Sequence, residues 1–178
     1  YVGVIGKQEG VDHLLRAVEY IVNDKGRRDI HFAIVGSGTE LTGLREYARE
    51  LNIEEFITFT GRVSDQDLLE TLNTAEVCVN PDIANEMNDK STMNKIMEYM
   101  ALAKPIVQYD LTEGRVSAQG ASLYAERNNE KDFAEKILIL LDDPDLRKEM
   151  GDIGRSRVIE ELEWEYEAPK LIAAYATL

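Results

Sequence analysis

The sequence predicts a doubly wound α/β domain, with about six parallel strands in one sheet and helices on both of its faces. Three observations carry that expectation. Short apolar runs alternate with amphipathic helical segments along the chain, and glycine, proline or polar turns close most of the runs. The length of 178 residues suits one well-cored domain, since domains usually hold about 100–200 residues. Strands separated by helices need crossover connections, and crossovers give parallel pairing.

Each element is justified in turn. Tyr1 to Ile5 reads as a buried strand, and a turn over Gly6 to Gly10 follows it. Val11, Leu14, Leu15, Val18 and Val22 then keep the 3.6-residue period of a helix. A polar loop over Asn23 to Asp29 leads to a second strand, Ile30 to Val35, stopped by Gly36-Ser37-Gly38. Leu41, Leu44, Ala48 and Leu51 mark the next helix, and Phe56 to Thr60 the third strand, ending at Gly61. Ser64 through Asp67 resembles a capping box that opens a short helix with Leu68, Leu69 and Leu72. Val77 to Asn80 is the fourth strand, closed by Pro81, and a polar loop runs from Asp82 to Lys90. A helix is expected from Ser91 to Leu102, a fifth strand over Pro105 to Tyr109, and a short sixth over Ser122 to Tyr124. Helices over Glu130–Leu141 and Pro144–Glu161 and a terminal one over Glu165–Leu178 complete the chain. The alternation suits the 3-2-1-4-5-6 strand order of Rossmann-like domains.

Composition removes whole classes of function. A formal net charge of −14 argues against a nucleic-acid binder, which needs a basic stripe along the phosphates. Apolar runs fall short of the roughly 20 residues that cross a bilayer, and nothing reads as a signal peptide. The single cysteine, Cys78, excludes an internal disulfide or a thiolate metal site, so a cytoplasmic location is expected. His13 and His31 lack metal-ligand partners at useful spacing and read as structural. Because the chain starts on a strand with no initiator methionine, it reads as a piece excised from a longer protein.

In an open parallel sheet the ligand lies outside the carboxyl ends of the strands. Gly6 stands in the loop after the first strand, and Gly36 opens the loop after the second, where free N–H groups at a helix N-terminus favour an anion. The dinucleotide fingerprint fails, since Leu41 stands where its third glycine belongs, so a nicotinamide cofactor is not expected. The phosphate loop and the nucleophile elbow are absent as well. The densest stretch is Asn88 to Val107. If Ser91 opens the helix, Ser91, Lys95 and Glu98 share one face. Amides of Ser91, Thr92 and Met93 would hold a diphosphate, Lys95 would supply a point charge, and Glu98 would accept the hydroxyls of a ribose. On a blander view Lys95 and Glu98 form an exposed ion pair.

Several segments, in this order, resemble one family: YVGVIGKQEGVDHLL, FAIVGSGTE, ITFTGRVSDQDL, VCVNPD, EYMALAKPIV, and LRKEMGDIGRSRV followed by WEYEA. They are similar to the donor-binding C-terminal domain of retaining GT-B glycosyltransferases of family 4, of a bacterial surface-polysaccharide type. The resemblance covers essentially the whole chain and implies half of a GT-B fold. It implies that Glu98 is the second glutamate of the family's E-x7-E motif, which binds the donor ribose. The first glutamate falls at Lys90, a departure that leaves the neighbouring Asp89 to compensate. The arginine and lysine of the family's GRLxxxKG stretch fall at Val4 and Glu9, which makes Lys95 and Arg115 the candidates for the missing positive charge. Arg62 and Val63, after Gly61, match the loop beside the nucleobase.

The resemblance further implies transfer of a glycosyl group from a nucleotide sugar, with UDP as carrier, to a glycan or lipid-linked acceptor. The acceptor would be held by an N-terminal domain outside this chain, which alone would bind nucleotide without catalysing transfer. No metal or other cofactor is expected, and the full enzyme would work in the cytoplasm or at the inner face of the membrane. Two other readings remain: a non-catalytic doubly wound binding or regulatory module, and a nucleotide-sugar epimerase domain.

Overall fold

The computed structural model describes residues 1–176. It is an α/β domain built in the expected alternation: α1 (Val11–Glu19), β1 (Phe32–Val35), α2 (Leu41–Glu50), β2 (Ile57–Gly61), α3 (Asp65–Thr74), β3 (Cys78–Asn80), α4 (Asn94–Ala101), β4 (Ile106–Tyr109), α5 (Thr112–Ala118), β5 (Ser122–Ala125), α6 (Glu130–Asp142), α7 (Pro144–Arg157) and α8 (Trp164–Ala176). All strand pairs are parallel, β1 with β2, β3 with β4, and β4 with β5. Residues 177 and 178, the end of the expected terminal helix, lie outside the described residues.

The alternation of side chains across each strand divides the core. Phe32, Ile34, Val79, Val107 and Tyr109 face one layer with α1, α2 and α6, where Leu14, Leu15, Val18, Leu44, Ala48, Phe133 and Ile137 are buried. Cys78 and Ile106 face the other, with Leu72 of α3 and Ile96, Tyr99 and Met100 of α4. Helices therefore cover both faces.

Six strands were expected in one sheet; among the described residues there are five, in two sheets. The difference lies at Tyr1–Ile5. This segment runs beside β1, with the Gly3 amide donating to the Val35 carbonyl and the Ile5 amide to that of Ser37, but its only bridge to a strand is Val2 with Val35. The Val2 amide donates to the Tyr99 hydroxyl of α4 at 2.9 Å. A tyrosine thus takes the acceptor role that a neighbouring strand would fill, and the ladder does not continue from this segment to β3. With the segment counted in its place, the two halves keep the sequence of a 3-2-1-4-5-6 sheet.

Two other boundaries differ. The helix expected from Ser91 starts at Asn94, with Met93 in the N-cap position. A 3-10 turn over Asn88–Lys90 comes first, and the Ser91 hydroxyl donates to the Met87 carbonyl at 2.7 Å, closing that turn instead of opening the helix. Helix α5 was not expected at all. It is short and carries Gly114 within it, and its first residue is capped from outside: Asp89 accepts from the Thr112 amide at 2.9 Å and from its hydroxyl at 3.0 Å. The Ser64 cap, in contrast, is local and as expected, accepting from the Asp67 amide at 3.2 Å.

One glycine of this fold has no conformational task. Gly43 lies inside α2, and a Cβ there would meet nothing within 4 Å. Gly43→Ala is expected to raise stability by about 0.5–1 kcal/mol, through the lower entropy cost of alanine in a helix. A thermal melt checks this; an unchanged or lower midpoint contradicts it.

Candidate functional site

The loops that leave the carboxyl ends of the strands are tied into one rim. Gln8, in the turn after the first segment, accepts through its carbonyl from the Ile83 amide at 3.1 Å and from the Asn88 side chain at 2.9 Å. Gly10 makes that approach possible: its φ is 60°, and a Cβ there would lie 2.0 Å from the Pro81 carbonyl oxygen. Further round, Asn128 accepts from the Ala84 amide at 2.7 Å, and Arg127 donates to Asp89 at 2.7 Å. Gly36 and Gly61, at the ends of β1 and β2, are joined by an amide–carbonyl bond of 2.9 Å. A pocket of about 320 Å³ lined by Gly6, Lys7, Asp12, Glu40 and Leu44 opens beside the Gly6 turn.

The sequence-derived candidates all lie on this rim or on the helices that enter it. Gly6 donates its amide to the Glu9 carboxylate at 3.1 Å. Arg62 is exposed and Val63 half-buried in the loop after β2. Thr92 donates to Glu113 of α5 at 3.1 Å, and Lys90 is exposed and paired with Glu86 at 2.8 Å. Glu98 is exposed on α4. The expected face of Ser91, Lys95 and Glu98 is not formed, since Ser91 precedes α4; Lys95 and Glu98 share the helix. Met93 in the N-cap position leaves the first-turn amides of α4 at the helix's positive end, where an anion is favoured.

The charges are deployed differently from the sequence reading. Lys95 pairs with neither Glu98 nor open solvent. Its ammonium donates to both Asp82 oxygens, at 3.0 and 2.9 Å, and to the Asn80 side-chain oxygen at 3.0 Å. The two side chains are 12% and 2% exposed. Burial raises the Asp82 carboxyl above its ordinary range, and Lys95 opposes that rise. The Tyr1 ring lies 5.3 Å from the ammonium. Arg115 is bound bidentately by Asp110 and stacked over Tyr124 at 4.3 Å. The Thr112 amide and hydroxyl lower the Asp89 carboxyl from its ordinary value, with Arg127 beside it. Asp89 caps α5, so standing in for the missing glutamate at position 90 would require it to share or release those bonds.

Sequence reasoning missed Asn80 and Asp82. The signal was present in the Asn80-Pro81-Asp82 run, which ends β3 and leads out of it, since polar residues at the carboxyl end of a buried strand need a partner. The two histidines make local contacts, His13 with Tyr109 at 3.1 Å and Glu130 at 3.2 Å, and His31 with Thr58 at 2.8 Å. Among the described residues no three His, Cys, Asp or Glu side chains are grouped to hold a metal, and no helix is long and apolar enough to cross a membrane.

A family model described as "Glycosyl transferases group 1" matches residues 1–143. The chain belongs to that family. Its curated relatives include the GDP-mannose-dependent monoacylated alpha-(1-6)-phosphatidylinositol monomannoside mannosyltransferase of Corynebacterium glutamicum, 27% identical over 169 residues, which are 92% of this chain and 43% of that protein. The chain spans about two fifths of the length of the curated relatives it matches. Among solved structures, HepE of Anabaena in complex with UDP superposes with a TM-score of 0.83 at 14% identity, covering 99% of this chain and 48% of that one. A TarM variant from S. aureus, in complex with fondaparinux, alpha-GlcNAc-glycerol and UDP, gives 0.83 at 21% identity, covering 97% and 34%. These likenesses show that this group 1 domain has the fold of one part of those GT-B glycosyltransferases.

Proposed function

We propose that this chain is the C-terminal, nucleotide-sugar-binding domain of a glycosyltransferase, with a UDP-sugar as donor. The observation that carries the reading is the N-terminus of α4, set in a rim of strand-end loops with the Lys95 ammonium beside it, in a group 1 chain. Amides at the start of α4 would receive the diphosphate, Glu98 the ribose hydroxyls, and the Arg62–Val63 loop the base. As the bond from sugar to diphosphate breaks, negative charge grows on the leaving group. Helix-end amides and a cation then favour the transition state over the ground state. A glycan or lipid-linked acceptor would be bound by an N-terminal domain, so this chain by itself would bind nucleotide without transferring sugar.

UDP is favoured over GDP because the two superposed structures named above hold UDP, although one sequence relative uses GDP-mannose. Calorimetry with UDP, GDP and ADP on the chain and on Glu98→Ala tests the assignment. Saturable UDP binding, weakened about tenfold or more in Glu98→Ala by loss of charged hydrogen bonds, is the expected result. Failure of the folded chain to bind any of the three would overturn it, and preference for GDP would replace the base.

A further inference from the structure

We propose that Asp82 is an internal competitor for the cation of the donor site: its carboxylate holds Lys95 and opposes the diphosphate that would take its place. The inference rests on the donor-site reading above and concerns how tightly that site grips its nucleotide. A lysine ammonium has three donors, and all three are engaged here, two on Asp82 and one on Asn80. The pair as a whole carries no net charge. A diphosphate approaching Lys95 must therefore displace a carboxylate oxygen or lie against one, and either course places like charges together. Glu9 adds to this opposition from the Gly6 turn, since its charge also acts on Asp82.

The arrangement is built into the sheet. Asn80 ends β3 with 1% of its surface exposed, and Asp82 follows Pro81 with 1%. Lys95 reaches both from the first turn of α4, and its Cε stands 3.3 Å from where a Cβ on Gly3 would be. The ammonium is thus confined between the first chain segment and the end of β3. It has little freedom to swing toward a ligand without releasing Asp82. The consequence is a site that binds nucleotide more weakly than its cation would allow and releases the spent diphosphate more readily.

The test uses two near-isosteric variants that move the charge in opposite directions. Asp82→Asn keeps an oxygen for Lys95 but removes the competing charge, and UDP affinity should rise about tenfold, with a steeper fall as salt is added. Asn80→Asp brings a second carboxylate to Lys95, and affinity should fall by a similar factor. If both positions were only structural, both variants would bind more weakly, and that result overturns the proposal, as does an unchanged affinity in Asp82→Asn. Circular dichroism establishes that each variant is folded; should Asp82→Asn not fold, Asp82→Ser takes its place, with tighter UDP binding in support and unchanged or weaker binding against. Absence of UDP, GDP and ADP binding by the parent chain overturns the donor-site reading and this inference with it, and so is distinct from failure of the variants alone.

Discussion

In Lys95→Met the Asp82 carboxylate stays buried with no cation, and the variant is expected to lose about 3–5 kcal/mol at neutral pH. Measured against a total of about 5–15 kcal/mol for a domain, that loss brings the fold near its limit. The deficit should depend on pH. Burial already places the Asp82 carboxyl above its ordinary value, with Lys95 pulling it back. Removing the ammonium lifts it further, so the folded variant keeps a proton where the unfolded chain has lost it. A raised folded value means that stability is fully present below the unfolded value and is lost as pH rises through the folded one. Denaturant titrations at pH 5 and pH 8 should therefore give a smaller gap between Lys95→Met and the parent at pH 5. An equal gap at both would mean that Asp82 is not buried as a charge.

Gly36→Val is the second large effect. Gly36 has φ 134°, and a Cβ built there would stand 1.8 Å from the Gly3 carbonyl oxygen. Backbone, not a flexible side chain, occupies that space. Valine would push the first segment off β1, breaking the bonds of Gly3 to Val35 and of Ile5 to Ser37 and disturbing the Gly6 turn that follows. A loss of about 3 kcal/mol or more is expected from strain and lost pairing together. A thermal melt that stays within a degree or two of the parent would contradict the close approach.

What could be read from the residues was what neighbouring residues decide. The 3.6-residue period of Val11, Leu14, Leu15 and Val18 places α1, and Ser64 with Asp67 places the start of α3, because both signals lie within one or two turns of chain. Helix α5 was illegible for the opposite reason: its cap, Asp89, is supplied from 23 positions away, and Gly114 breaks any period. The first segment reads as a strand in sequence because it is a run of apolar residues, yet only Ile5 of the run is buried and Val4 is exposed, and its further pairing is taken by a side chain, Tyr99, from 97 positions along.

The candidate site shows the same division. Its place at the strand ends follows from the fold class, and its residue types from the family resemblance. The partnership of Lys95 with Asp82 and Asn80, and the capture of Arg115 by Asp110, arise from tertiary packing. Helix spacing and the family resemblance put Lys95 toward the ligand, and the resemblance alone Arg115, because a sequence carries no record of which carboxylate reaches a cation first.

The central claim, that nucleotide binds where α4 enters the rim, is tested most directly by following backbone amide resonances of the ¹⁵N-labelled chain during titration with UDP. The account predicts that the largest shifts fall on Asn94, Lys95, Gly6, Gly36 and the Arg62–Val63 loop, all outside the strand ends. Saturable shifts confined instead to the surface of α7 and α8, or to the opposite ends of the strands, would contradict it.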